Sequence, residues 1–423
     1  MPSGKRGPTP AGPTDSVVVV VPAPIDVRNP AAPVNAGERF VFAQVYETLI
    51  DVDCAGRVLP ALAQSWTHDA TGTRVTVVLR AGARFSAGDP VTTRDVIAAW
   101  RATAASPAAP ATSDALLARR IADGATIVDD RTLTLSLPDS AWRVLAEPAL
   151  AVYRPRNDVA WGDGSGRYRI DGVAPGLVRL APVAPDSGPP VLVRFGGDAD
   201  ARDAIDAGDA LVLSAAPRAV SYAASHAGLA SVALPWDRTY VVVAPGGASS
   251  VLSPAAIDSA SGFRTTLARD AVRAESRAAE PPYWWSVSDC TFIDANDARP
   301  APVRAAGIGY RADDAVARDL ADRLVALRPG LAAVSLEPDE FARALRAGRG
   351  EGFVLAVPRE SLAACRDVAD LLIAAPWLIA GNLQASVVPL VDTRRRVIFD
   401  PARVSAHIDW DGTLRLRGAA VRP

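Results

Sequence analysis

Tyr46-Glu-Thr-Leu-Ile50, Leu59-Pro-Ala-Leu-Ala-Gln-Ser-Trp66, Arg74-Val-Thr-Val-Val-Leu-Arg80, Gly82-Ala-Arg-Phe85, Gly88-Asp-Pro-Val91 and Thr93-Arg-Asp-Val96 follow one another in a single stretch of the chain. Residues 74–80 alternate and are β-branched, which predicts a strand, and Asp69-Ala-Thr-Gly72 ahead of it predicts the hairpin turn. Thr92 is placed to cap a helix running to Trp100. Leu62, Trp66, Val78 and Phe85 are the side chains expected to fill a small lobe, with Gly56, Gly82 and Gly88-Asp-Pro90 turning its strands. Such residues build a scaffold and identify a fold; they do not line a ligand.

Working outward, Phe40, Val41, Val45, Tyr46 and Leu49 recur at helical spacing, and the five valines 17–21 predict a first buried strand. Those valines are far too few to cross about 30 Å of hydrocarbon. They are also too few for a secretory leader, so no signal peptide is seen. Residues 2–16 read by composition as a flexible tether, either an ordinary terminus or the linker left after an exported protein's leader is removed. Downstream, residues 131–137 predict a strand, 162–166 a turn before a strand at 168–170, 199–207 a helix and 210–213 a buried strand. From Asp237 on, the pattern gives strands at 239–243, 303–310 and 353–357 and helices at about 262–279, 313–327, 338–347 and 359–374. That alternation predicts an α/β region with a largely parallel sheet. Asp411-Gly412 joins residues 404–410 to 413–417 as a hairpin.

A chain of 423 residues exceeds what one core organises, so two or three lobes are expected. With 49% hydrophobic and 22% charged residues the composition is globular, and a net charge of −2 leaves no basic excess for a phosphate backbone, so nucleic acid is not a partner. Lys5 is the only lysine, which reads as GC-rich codon usage. His68, His226 and His407 lie far apart and Cys54, Cys290 and Cys365 form no C-x-x-C pair, which excludes a zinc site of the usual spacing. There is no G-x-S-x-G and no P-loop lysine; the reading is a non-enzyme with no cofactor. Asp51 with Asp53, and Asp129 with Asp130, read as solvated turn carboxylates. The suggestive residues are aromatic. Tyr283, Trp284 and Trp285 follow the diproline 281–282, and Trp236, Tyr240 and Trp377 sit near expected lobe junctions; all are candidates for the wall of a ligand cleft, with core packing as the competing reading.

The run from Tyr46 to Val96 resembles the family-5 extracellular solute-binding proteins, the oligopeptide, dipeptide and nickel receptors of ABC importers. That family writes the same run as Y-E-x-L, P-x-L-A-x-S-W and L-R-x-G-x-x-F-x-x-G-x-P-x-T-A-x-D-V. Gly164-Ser-Gly-Arg-Tyr168 is similar to its G-T-G-P-Y, residues 204–209 to its A-L-x-x-G-x-x-D, and residues 264–277 to a degraded form of its R-x-A helix. The resemblance implies an α/β, two-lobed periplasmic-binding-protein-like fold (type II, Venus-flytrap) with a small extra lobe inserted in lobe I. Mapped here, lobe I is 17–44, 167–238 and 384–423, the inserted lobe 45–166 and lobe II 239–383, with hinge crossings near Thr239 and Asn382. It also implies a monomeric receptor, with Asn382 among the ligand-binding residues. Such a receptor holds a small-molecule or peptide-like ligand between lobes and presents it to an ABC permease in the membrane. The setting implied is extracytoplasmic, with the chain held to the outer face of the cell membrane as a lipoprotein.

Two departures bear on this. The chain is shorter than the family norm, mostly in lobe II, and after residues 353–357 it reads Pro358-Arg-Glu-Ser-Leu where peptide receptors carry an Asp-bearing segment that pairs with the peptide amino terminus. Those departures motivate an alternative: a receptor-like envelope protein with no transport role that regulates or scaffolds a cell-envelope process. In an oxidising compartment Cys290 and Cys365 are placed to pair within lobe II, with three unpaired thiols as the equal alternative.

Overall fold

The computed structural model describes residues 16–106, 113–138, 141–196, 201–214, 217–246, 251–252, 257, 267, 275–279, 307–327, 330–358, 370–378 and 386–419. The five valines do form a strand, Val17–Val21, in the middle of a seven-stranded sheet. Across that sheet the order is Tyr168–Ala174, Leu177–Pro182, Val191–Phe195, Val17–Val21, Leu211–Ser214, Arg396–Phe399, Ala230–Ala233. Val17–Val21 runs parallel to both of its neighbours. Val17, Val19 and Val21 pack with Phe40 and Val41 of the helix Ala36–Val45, while Val20 packs with Ala204, Ile205, Ala219 and Ala223 on the opposite face. Both faces are covered, which is why the strand carries valine at every position and not at every second one.

The inserted lobe is a four-stranded antiparallel sheet, Ala63–His68, Val75–Leu79, Thr132–Leu135, Ala125–Ile127, backed by helices Thr93–Ala104 and Ser113–Asp123. Thr92 closes a capping box with Asp95, as the sequence suggests. Leu62, Phe85, Trp100, Leu133 and Leu135 are its fully buried centre. The strand's inward residues are Val75, Val77 and Leu79, so Val77 takes the core place expected of Val78: the pleat puts alternate residues on opposite faces. Trp66 packs only from the margin, its ring 5.2 Å from that of Trp142. Gly56, Gly82 and Gly88 have φ of 76°, 83° and 99°, the left-handed turns their positions require. Trp100 Nε1 donates 2.8 Å to the Leu150 carbonyl. Trp100→Phe leaves that buried carbonyl unpaired and is expected to cost about 1–3 kcal/mol in denaturant unfolding; an unchanged midpoint would show that the carbonyl finds another donor.

Gly162–Gly166 does more than turn the chain. A Cβ on Gly164 would lie 1.9 Å from the Val45 carbonyl oxygen, and one on Gly166 2.3 Å from that of Gln44. The chain leaves for the inserted lobe after Val45 and returns here, and Gly166 N donates 2.9 Å to Val45 O, so exit and return are bound together.

The second large sheet has six strands, in order Ser276–Ala278, Val387–Thr393, Arg238–Val243, Gly352–Pro358, Gly307–Arg311, Ala332–Leu336. It is mixed, not largely parallel: Arg238–Val243 is antiparallel to both neighbours, Ser276–Ala278 is antiparallel to Val387–Thr393, and only the two pairings of Gly307–Arg311 are parallel. Two expectations change with it. Residues 276–278, read as the end of a helix, add an edge strand, and residues 387–393, assigned to lobe I, lie in this sheet. The helices Ala315–Leu327 and Pro338–Ala347 pack against it, in two hydrophobic clusters that hold Leu320 and Leu324 in one and Phe341 and Leu345 in the other. The C-terminal hairpin, Val404–Ile408 with Leu414–Ala419, forms as its Asp-Gly turn predicts. Among the described residues no helix is long and apolar enough to cross a membrane.

Candidate functional site: the hinge and the interlobe joints

Strand Ala230–Ala233 ends in the first sheet and Arg238–Val243 begins in the second; Val387–Thr393 ends in the second and Arg396–Phe399 begins in the first. The chain therefore crosses at 234–237 and returns at 394–395, beyond Asn382, because residues 387–393 pair with Arg238–Val243. Leu234 N donates 3.0 Å to Arg395 O and Asp237 N 3.2 Å to Thr393 O, so the two crossings lie side by side.

Around them lies a dense set of charges. Asp237, Glu275 and Asp392 are only 3%, 5% and 1% exposed. Buried carboxylates need partners, and arginines supply them. Arg395 and Arg238 pair with Asp237. Arg394 Nε (3.0 Å) and Arg396 Nη1 (3.2 Å) donate to the two oxygens of Glu275. Arg277 Nε donates 3.0 Å to Asp392 Oδ2, whose other oxygen accepts from the Thr239 hydroxyl at 2.7 Å. Trp236 lies in the middle, with the guanidinium of Arg277 4.8 Å and that of Arg394 4.4 Å from the ring centroid. Both contacts are cation–π in geometry. Arg277 lies on the edge strand with Glu275 just before it, Asp392 on the returning strand, Arg394 and Arg395 in the second crossing with Arg396 just after it, and Asp237 and Arg238 at the end of the first crossing, so the network ties both crossings to the second lobe.

Of the aromatic candidates, Trp236 is thus a hinge residue clasped by two arginines. Tyr240 lies inside the second lobe, 3% exposed, with its hydroxyl donating 3.1 Å to Asp314 Oδ1; burial and that carboxylate push its phenol far up. Trp377 is also interior, Nε1 donating 2.6 Å to Leu345 O. Both have spent their polar atoms within the lobe: Tyr240 stands on a strand of the sheet and Trp377 in the turn after helical residues 370–374, each packed into that lobe's core. Tyr283, Trp284, Trp285 and Asn382 lie outside the described residues. The hinge carboxylates and Arg394-Arg-Arg396 escaped the sequence reading. A triple arginine is visible there, but its default is a solvated run, and only strand pairing brings Glu275 to it.

A second joint fixes the inserted lobe. Asp53 bridges Asp409 as an isolated β-pair, and Cys54 N and Trp410 N donate across it to Ile408 O and Val52 O. Arg415 donates from Nε to Asp409 Oδ2 (2.6 Å), lies 3.1 Å from Asp51 Oδ1 and reaches Ala43 O at 3.3 Å, so one side chain touches hairpin, inserted lobe and helix Ala36–Val45. A small cavity of about 40 Å³ lies beside it, lined by Arg39, Tyr46, Asp409, Trp410 and Asp411 among others. Burial pushes the Asp409 carboxyl up to about 7, with Asp411 and Asp51 adding to the effect and Arg415 opposing it. Burial and the arginines of the hairpin push the His407 imidazole down. Among the described residues no group of three or more His, Cys, Asp or Glu side chains is placed to hold a metal.

Cys54 is exposed on its turn, and Cys290 and Cys365 lie outside the described residues. One thiol titrating in the unfolded, unreduced protein is the expected result of a Cys290–Cys365 bridge; three would exclude it.

Two α/β lobes linked by a pair of adjacent crossings, with a smaller lobe inserted into the first, define a two-lobed fold. Residues 57–189 match the model of the bacterial extracellular solute-binding proteins, family 5. The nickel-binding periplasmic protein of Escherichia coli is 36% identical over 85 residues, 18% of this chain and 16% of that protein's length. NikA from Staphylococcus aureus in complex with Ni(L-His)2 superposes with a TM-score of 0.68 at 13% identity, over 96% of this chain and 100% of its own. OppA from Haemophilus influenzae, in complex with the peptide RPPGFSPFR, gives 0.65 at 15% identity over 96% and 99%. The murein tripeptide binding protein MppA of Escherichia coli gives 0.65 at 14% over 97% and 99%. Residues 57–189 are thus similar in sequence to the family-5 solute-binding proteins, and the whole chain shares the fold of these solved structures.

Proposed function

We propose that the chain is the substrate-binding component of an ABC importer: it captures a peptide-like or other solute between its two lobes and presents the closed form to a permease in the membrane. The observation that carries this reading is the pair of crossings at 234–237 and 394–395, which lie side by side and leave the lobes free to rotate about one line. The family likeness supports it; an extracytoplasmic setting, a monomeric state and anchoring as a lipoprotein belong to the same proposal. We take the role to be capture without catalysis.

For the ligand, the reading rests on Trp236 at the hinge and on Tyr283, Trp284, Trp285 and Asn382, which fall in the sequence between the two crossings. A peptide's terminal ammonium needs a carboxylate partner in a closed cleft, a contact worth about 1.5–3 kcal/mol. This sequence lacks the segment that supplies it in peptide receptors. The ligand proposed is therefore one with apolar or ring-bearing parts, such as a capped peptide, glycan or lipid-linked fragment.

Mass spectrometry of what co-purifies with the chain identifies the ligand, and small-angle scattering with it at saturation is expected to show a smaller particle. Submicromolar binding of free di- to pentapeptides, undiminished in Trp284→Ala and Trp285→Ala, would overturn the ligand class. A particle that never compacts, with partners bound on lobe surfaces instead, would replace transport by the receptor-like regulatory role.

A further inference from the structure

Away from the hinge, the inserted lobe and the second lobe meet at a directed contact between described residues. Helix Ser113–Asp123 belongs to the inserted lobe, packed on Thr93–Ala104 with Ala115, Ala118, Ile121 and Ala122 buried. Its first residue, Ser113, is 4% exposed. The first N–H groups of a helix have no acceptor within the helix and must find one elsewhere. The Ser113 N–H finds Asp370 Oδ1 at 3.2 Å, on the other side of the molecule's division into lobes.

Asp370 is the first described residue of a helical segment running to 374 and is itself exposed. The residues after it are firmly held: Leu371, Leu372, Ala375, Trp377 and Leu378 pack with Val241, Val243 and Phe353 of the second sheet. A carboxylate fixed to one lobe thus caps a helix fixed to another. The partial positive charge at a helix N-terminus favours an anion there, so the contact is attractive and directional. It is also weak enough to break, because the carboxylate is exposed and water replaces it readily on both sides.

We propose that Asp370 is a latch: by capping helix Ser113–Asp123 across the lobes it holds the closed form of the molecule, and hinge opening releases it. This rests on the hinge geometry and not on the identity of any solute. Opening strips the Ser113 N–H of its acceptor, so the exposure of the helix's first turn reports the state of the lobes. A charge-assisted bond at a solvent-accessible position biases the closed form by about tenfold.

The test uses the full chain without ligand, read by amide hydrogen exchange and small-angle scattering. Asp370→Ala is expected to raise exchange in the first turn of the helix about tenfold and to enlarge the radius of gyration. Asp370→Asn keeps an acceptor and is expected to lie between. Ser113→Pro removes the donor from the other side, at the first helical position, where proline is tolerated; it is expected to enlarge the particle as much as Asp370→Ala, with no further effect when the two are combined. Exchange and radius unchanged in Asp370→Ala would overturn the latch, as would an enlargement seen with Asp370→Ala and not with Ser113→Pro. Because no ligand enters, a negative result here leaves solute capture to its own experiment.

Discussion

Between about pH 4 and pH 7 the folded chain is expected to lose roughly 2–4 kcal/mol of stability through one carboxyl group, that of Asp409. In the unfolded chain an aspartate titrates near 3.9; in the fold, burial holds Asp409 up to about 7. Over that interval the folded state carries a proton that the unfolded state has lost, so stability is fully present below the unfolded value and drains away as pH rises through the folded one. His407, 3.7 Å from Asp409 Oδ1, works the other way. Its value is lowered, so its contribution is present above the ordinary histidine value and is lost as pH falls. The other charges at the joint are Arg415 on Asp409 and Asp51, Arg39 on Asp411, Arg57 on Asp53, and Arg417 beside His407. Asp409→Asn keeps an acceptor for Arg415 and removes the titration. Urea unfolding from pH 4.5 to 8 is expected to show a falling limb in the native chain that is absent in the variant, which gains relative to it at pH 8. Parallel profiles would mean that Asp409 is ionised throughout. Because this group joins the C-terminal hairpin to the inserted lobe, the same titration loosens the seat of that lobe.

Glu275→Ala is the second large effect, expected at about 2–4 kcal/mol. Removing one partner of a buried ion pair costs about 3–5 kcal/mol when the other is left sealed from water. Here the abandoned partners, the side chains of Arg394 and Arg396, are 28% and 21% exposed, which moderates the loss. Glu275→Gln, which still accepts hydrogen bonds, is expected to lose less than half as much. The variant also frees the second crossing from the edge strand Ser276–Ala278, so the single unfolding transition should broaden or split as the lobes uncouple. A stability within about 0.5 kcal/mol of the native chain would show that the two arginines are held by Trp236, Ser231 and water alone.

The inserted lobe could be read before any coordinates because its information is local. A β-branched alternation makes the strand Val75–Leu79, Thr92 and Asp95 close a capping box three residues apart, and Gly56, Gly82 and Gly88 sit where only positive φ will turn the chain. Each of these signals is complete within a few residues. The same holds for the Asp411-Gly412 hairpin and for the valine strand, whose unbroken apolar run already implies two covered faces.

What stayed hidden were choices of partner. Whether residues 387–393 join the first sheet or the second depends on which edge they meet, and nothing in Val-Val-Pro-Leu-Val-Asp-Thr names that edge. Residues 276–278 could be helix or strand until Val387–Thr393 lay beside them. Tyr240 and Trp377 were as fit for a cleft wall as for a core, and Trp236 as fit for either, until the two arginines closed on it. The sequence alone carried the likeness to the family-5 proteins and the local scaffold of residues 57–137, because propensity, capping and turn chemistry act over a few residues. The tertiary structure alone decided the hinge charges and the Asp370 contact, because groups more than a hundred residues apart must meet in space, as Glu275 does with Arg394 and Ser113 with Asp370.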